Sequence, residues 1–102
     1  MLFTITGKHT EVPESVKEYT QQKTSKLQRY YNSLNQIEVI FDSSQAGNVK
    51  VEIIARAEHS KVFVVTQTGK DIYRCIDAAA HKLEMQIKKK KTKERDNKRS
   101  SG

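Results

Sequence analysis

A chain of 102 residues, 35% apolar and 30% charged with no tryptophan, has room for one hydrophobic core and not for two. No apolar run approaches the roughly 18 residues that a membrane-crossing helix needs, and the single cysteine, Cys75, excludes an internal disulfide. The formal net charge of +7 points to polyanionic partners, nucleic acid first and an anionic membrane surface second.

The opening segment MLFTITGKHTEVP lacks the basic start, apolar stretch and small-residue cleavage site of a signal peptide, so a cytoplasmic protein is expected. Within it, Phe3 and Ile5 alternate with Thr4 and Thr6 and predict a short strand ending at Gly7. Pro13 and Glu14 then suit a helix start, the proline by its fixed φ and the carboxylate by the helix dipole. Val16, Tyr19, Lys23, Leu27, Tyr30 and Leu34 recur at helical spacing, which predicts a first helix from about Pro13 to about Tyr31. Asn32 and Ser33 close it. Its middle, at Thr20 and Thr24, is unusually polar.

Three β-type runs follow. Ile37, Val39 and Phe41 share one face of the first, and a turn-rich SSQAGN leads to the second. There Val49, Val51, Ile53, Ala55 and Ala57 alternate with Lys50, Glu52 and Arg56. EHS makes a tight connection into KVFVVTQT. Short loops between three such runs predict an antiparallel meander with one face in contact with water.

A second helix is expected from near Gly69, with Asp71 placed to cap it, to about Lys91. At about 100° per residue, Ile72, Ile76, Ala79, Ala80, Leu83 and Ile87 fall within one apolar arc, with Cys75 close to it as a small buried residue. Arg74, His81, Lys82, Lys88 and Lys89 fall opposite. Residues 1–87 hold 11 Lys/Arg against 10 Asp/Glu, whereas residues 88–99 hold 8 against 2, so six of the seven excess charges lie in that last segment. Residues 1–93 are read as a single domain and 94–102 as a disordered basic tail, because the tail has nothing to bury.

The order β-α-β-β-β-α places the first two strands parallel, joined through a helix. It predicts an α+β two-layer sandwich, a four-stranded mixed sheet with two helices on one face.

Catalysis finds little support. His9, His59 and His81 lie in three segments with no metal-ligand spacing, and His9 and His59 are read as ordinary surface residues. Carboxylates are scattered among lysines, and no glycine-rich phosphate loop is present. A non-enzymatic protein without cofactor or metal is expected. The basic face of the second helix, running into Lys88–Lys91, suits the phosphates of folded RNA held by shape and charge. Tyr19, Tyr30 and Phe41 fit core positions and Tyr31 and Tyr73 flank the apolar arcs, so exposed aromatics for stacking are not evident.

Several stretches together resemble one family: ITGKHTEVPESVKEY at the start, KLQRYY at the end of the first helix, and DIYRCIDAAAHKLEMQIKKKK. Nearly all of residues 1–93 is similar to the short ribosome hibernation promoting factors, also called ribosome-associated inhibitor or sigma-54 modulation proteins. The resemblance implies a fold related to double-stranded-RNA-binding domains. It implies binding to the small ribosomal subunit in the channel used by mRNA and tRNA, with translation blocked sterically and idle ribosomes preserved when growth slows. It further assigns rRNA phosphate contact to Lys23, Lys26 and Arg29 on the first helix and to Lys82, Lys88, Lys89, Lys91 and Lys93 on the second. Arg74 joins this set from the helical projection.

The sequence departs from the family pattern at three places. His81 stands where an acidic residue is common, Met85 where an arginine is frequent, and Thr24 where the first helix is usually apolar. Without the dimerisation domain of the long family members, a monomer is expected when free, and ribosome pairing would call for a second hibernation factor. The residues alone also fit a general binder of structured RNA without ribosome specificity. A transcription-factor regulator rests only on the family's older name.

Overall fold

The computed structural model describes residues 1–43 and 46–101, with side chains described through residue 93. Seven elements follow in order: β1 (Leu2–Lys8), α1 (Glu14–Ser25), α2 (Leu27–Tyr30), β2 (Leu34–Asp42), β3 (Val49–Ala57), β4 (Lys61–Gly69) and α3 (Ile72–Ser101). The strands form one sheet in the order β1-β2-β3-β4, with β1 parallel to β2 and the remaining pairs antiparallel. The expected mixed sheet and its order are thus present. Part of the turn expected over 43–48 falls on positions 44 and 45, outside the described residues.

Alternation decides which face of the sheet is covered. Ile37, Val39, Phe41, Val51, Ile53 and Ala55 are wholly buried and pack with Ile76, Ala79, Leu83 and Ile87 of α3. Each large apolar side chain removed from water in this way contributes about 1.5–3 kcal/mol. Val16, Leu27 and Tyr31 close the same core from the other helical segments. The uncovered face carries Glu38, Lys50, Glu52 and Arg56, with Arg56 paired to Glu38 at 3.2 Å. Ala57 pairs with Lys61 around a three-residue turn in which His59 and Ser60 adopt left-handed φ of 63° and 61°.

The first helix differs from the sequence expectation in two respects. It divides at Lys26 into α1 and a single turn, α2. The buried row is also Val16, Thr20, Thr24, Leu27 and Tyr31, not the row containing Tyr19, Lys23 and Tyr30. The hydroxyl of Thr20 donates to the carbonyl of Val16 at 2.7 Å, and that of Thr24 to the carbonyl of Thr20 at 2.8 Å. A threonine with a partner on its own helix can be buried without an unsatisfied polar group, and such back-bonding also bends helices. The division follows directly after the second of these threonines. Tyr31 is accordingly 7% exposed and Tyr30 42%.

Asp71 starts α3 as expected: its carboxylate accepts from the backbone N–H groups of Tyr73 at 3.0 Å and Arg74 at 3.4 Å. Cys75 is buried, and burial pushes its thiol above the ordinary pKa, with Asp71 adding to the rise. The helix passes beyond the expected end at Lys91, since Thr92 and Lys93 remain helical. There the hydroxyl of Thr92 donates to the Lys88 carbonyl at 3.0 Å. The basic tail expected from residue 94 lies outside the described side chains.

Candidate nucleic-acid interface

Where α1 and α2 lie beside α3, the two helical segments leave a seam. A concavity of about 200 Å³ in this seam is lined by Lys23, Lys26 and Tyr30 on one side and by Asp77, His81 and Glu84 on the other. Arg29 and Lys26 line an adjoining hollow of about 310 Å³. From α3, the Lys88 ammonium stands 5.3 Å from the centroid of the Tyr30 ring, and Lys91 donates to the Tyr30 carbonyl. Four of the nine expected cations, Lys23, Lys26, Lys88 and Lys91, therefore gather around one exposed tyrosine, with Arg29 in the hollow beside them.

These cations are not equivalent. Lys23 lies 3.5 Å from the Asp77 carboxylate and 5.4 Å from the Tyr19 ring centroid. Lys88 pairs with Glu84 at 3.6 Å, one turn away. Exposed pairs of this kind contribute at most about 1 kcal/mol, so an incoming phosphate can displace them. Among the described residues, Lys26 and Arg29 have no ion-pair partner. Both are exposed to solvent.

Lys82, Lys89 and Lys93 belong to a different stripe. They recur at helical spacing along the side of α3 that faces β4, about 100–180° around the helix from the seam residues. The Lys82 ammonium donates to the Thr66 carbonyl at 3.1 Å, and Gln86 donates to the Val64 carbonyl at 3.3 Å. These bonds occupy the outer edge of β4. Lys89 and Lys93 rim an open groove of about 630 Å³ with Phe63 and Met85 at its apolar lining. Arg74 stands apart at the start of the helix, 3.8 Å from Asp71. The one basic face expected of the second helix is thus two stripes and an outlier.

Two features escaped the sequence reading. Tyr30 and Tyr73 are exposed aromatics, at 42% and 40%, where none was evident. Gln86 covers a strand edge, a role for which the sequence carries no signal. For Tyr30 the signal was available in Thr20 and Thr24, whose spacing to Tyr31 is as helical as that of Val16 to Tyr30. Among the described residues no group of three or more His, Cys, Asp or Glu side chains could hold a metal ion, and no helix is long and apolar enough to cross a membrane.

Comparison with known proteins gives a consistent result. A family model described as sigma 54 modulation protein / S30EA ribosomal protein matches residues 3–95. A ribosome hibernation promoting factor of Pseudomonas putida is 30% identical over 94 residues, covering 92% of this chain and 90% of the relative. That of Escherichia coli K12 is 29% identical over 99 residues, covering 91% and 96%. Among solved structures, a ribosomal subunit interface protein from Coxiella burnetii superposes with a TM-score of 0.83 at 23% identity, over 90% of this chain and 99% of that one.

Proposed function

The chain belongs to the sigma 54 modulation protein / S30EA ribosomal protein family, and from that premise we propose that it is a ribosome hibernation factor acting on the small subunit. It seats its helical seam on small-subunit rRNA in the channel that mRNA and tRNA use. Translation is blocked by occupancy, and idle ribosomes are preserved under stress or in stationary phase. The names carried by its relatives support hibernation as the activity and the ribosome, in the cytoplasm, as the partner.

The observation that supports the seam as the contact surface is the gathering of Lys23, Lys26, Lys88 and Lys91 around Tyr30, with Arg29 in the adjoining hollow. Cations fixed on helices meet a phosphate array without first being ordered, so less conformational entropy opposes binding. Lys89 and Lys93, on the second stripe, extend the contact to another part of the RNA backbone. A surface of this kind reads shape and charge and not base sequence.

The test is co-sedimentation with purified ribosomes, vacant or filled with mRNA and tRNA, over a range of salt concentrations. Binding to vacant ribosomes that is lost when the tRNA sites are filled is the expected result. With about six phosphates neutralised, the slope of log affinity against log salt is about −5 for duplex-like RNA. Equal binding to filled ribosomes, or to any RNA duplex offered, would leave only a general structured-RNA binder.

A further inference from the structure

We propose that Tyr30 is a stacking position for an unpaired nucleobase, so that the seam takes one extruded nucleotide of the RNA in addition to gripping phosphates. The proposal rests on the RNA-binding reading of the seam and adds a ligand subsite to it. A nucleotide asks for an apolar ring to stack on and a nearby cation for its phosphate. Tyr30 and Lys88 supply both: the residue is 42% exposed and the ammonium lies over the ring, 5.3 Å from its centroid, so a base takes the other face or displaces the ammonium toward its phosphate.

The ring is held in place from its own backbone. α2 is a single turn whose last residue is Tyr30, and the carbonyl of that residue accepts from Lys91 of α3. The next side chain, Tyr31, is buried edge-on against Phe63 with ring centroids 5.9 Å apart. Tyr30 is therefore fixed on both sides while its ring projects into a concavity bordered by Lys23 and Lys26. Exposed aromatics on a basic surface are the usual platform for bases that have left a duplex, and each stacked base is worth about 1–3 kcal/mol. A competing role, apolar cover for Leu27 and Ala80 in the same concavity, would be filled by leucine as well as by tyrosine.

Stacking and phosphate contact differ in salt dependence, which makes the proposal testable on the full chain. Affinity for vacant ribosomes is measured across salt for wild type, Tyr30→Phe, Tyr30→Leu and Lys26→Ala, with urea midpoints confirming that each variant folds. Tyr30→Phe is expected to bind like wild type. Tyr30→Leu is expected to lose about 5- to 150-fold, the equivalent of one stacked base, with an unchanged log–log slope. Lys26→Ala is expected to lose affinity and to flatten the slope by about 1.

Wild-type affinity in Tyr30→Leu, or an equal loss in Tyr30→Phe, overturns the stacking role. The hibernation reading fails separately, when wild type binds filled and vacant ribosomes alike. In that event single-stranded and duplex oligoribonucleotides replace the ribosome as probes. Tyr30→Leu must then weaken binding to the single strand more than to the duplex, and an equal effect on both sinks the stacking proposal.

Discussion

The hydroxyl of Tyr19 on α1 donates to the carboxylate of Asp77 on α3 at 2.5 Å, tying together segments 58 residues apart. Asp77 also takes Lys23 at 3.5 Å, and the Tyr19 ring meets Tyr73 edge-on with centroids 5.0 Å apart. This tie stands at one end of the seam and fixes how far α1 lies from α3. Tyr19→Phe and Asp77→Asn should each lower the urea midpoint. A double-mutant cycle in urea should show the two changes to be non-additive, because the two groups share one bond. Strict additivity would mean that the bond contributes nothing to the packing of the helices.

The same bond sets an alkaline limit. The hydrogen bond to Asp77 is the largest cause raising the Tyr19 pKa, followed by burial and the Asp77 charge, against a smaller opposing effect of Lys23. With the folded value above the ordinary one of about 10, the stabilisation is fully present below pH 10 and is lost as pH rises through the folded value. Near-ultraviolet titration should show a tyrosine phase above pH 10 that Tyr19→Phe removes. The variant should also lose stability less steeply than wild type above pH 10.

The strands were legible because period-two alternation and burial coincide: Ile37, Val39 and Phe41 were assigned to one face and are all wholly buried. Asp71 was legible because capping is local chemistry. The first helix is legible in its span but not in its buried row, because apolar character alone does not mark a row that includes threonines. Thr20 and Thr24 are wholly buried through hydroxyls satisfied four residues back. The candidate cations were legible as a set but not as a surface. Lys82 lies about 120° around the helix from Lys88, but which of the two turns toward α1 and which toward β4 is a tertiary fact absent from the helical period.

The choice of row makes a sharp prediction for two adjacent tyrosines. Tyr31 is 7% exposed and its hydroxyl accepts from Lys61 at 3.2 Å, so Tyr31→Ala should cost about 3–5 kcal/mol. Tyr30→Ala should cost about 1 kcal/mol or less, since much of its ring already meets water. Urea unfolding of the two variants checks the order. A reversal would restore the row containing Tyr19, Lys23 and Tyr30.

Lys26 and Arg29 differ from Arg74 in what surrounds them, and that difference predicts a ranking in ribosome binding. Lys26 lines the seam and Arg29 the hollow beside it, while Arg74 stands at the far end of α3 beside Asp71. Lys26→Ala and Arg29→Ala should each flatten the log–log salt slope by about 1. Arg74→Ala should leave both slope and affinity within about twofold of wild type. Equal effects at all three positions would mean that the RNA surface follows the outer face of α3 and not the seam.

Lys82 and Gln86 predict a change in association. β4 is an edge strand, and its solvent-facing Val62 and Val64 are 54% and 48% exposed. An exposed edge with apolar side chains is a template for pairing with another chain. The carbonyls of Thr66 and Val64 on that edge accept from Lys82 and Gln86 of α3, which leaves fewer free acceptors for an incoming strand. Lys82→Met with Gln86→Leu keeps the aliphatic bulk of both side chains and removes both donors. The double variant should keep its unfolding free energy within about 1 kcal/mol of wild type, because the freed carbonyls can turn to water. It should nevertheless associate at concentrations where wild type does not, read by sedimentation velocity. Adding a lysine at Val64, which places a charge on the same edge, should reverse the association if edge pairing causes it. Association that survives Val64→Lys would instead implicate the apolar lining at Phe63 and Met85.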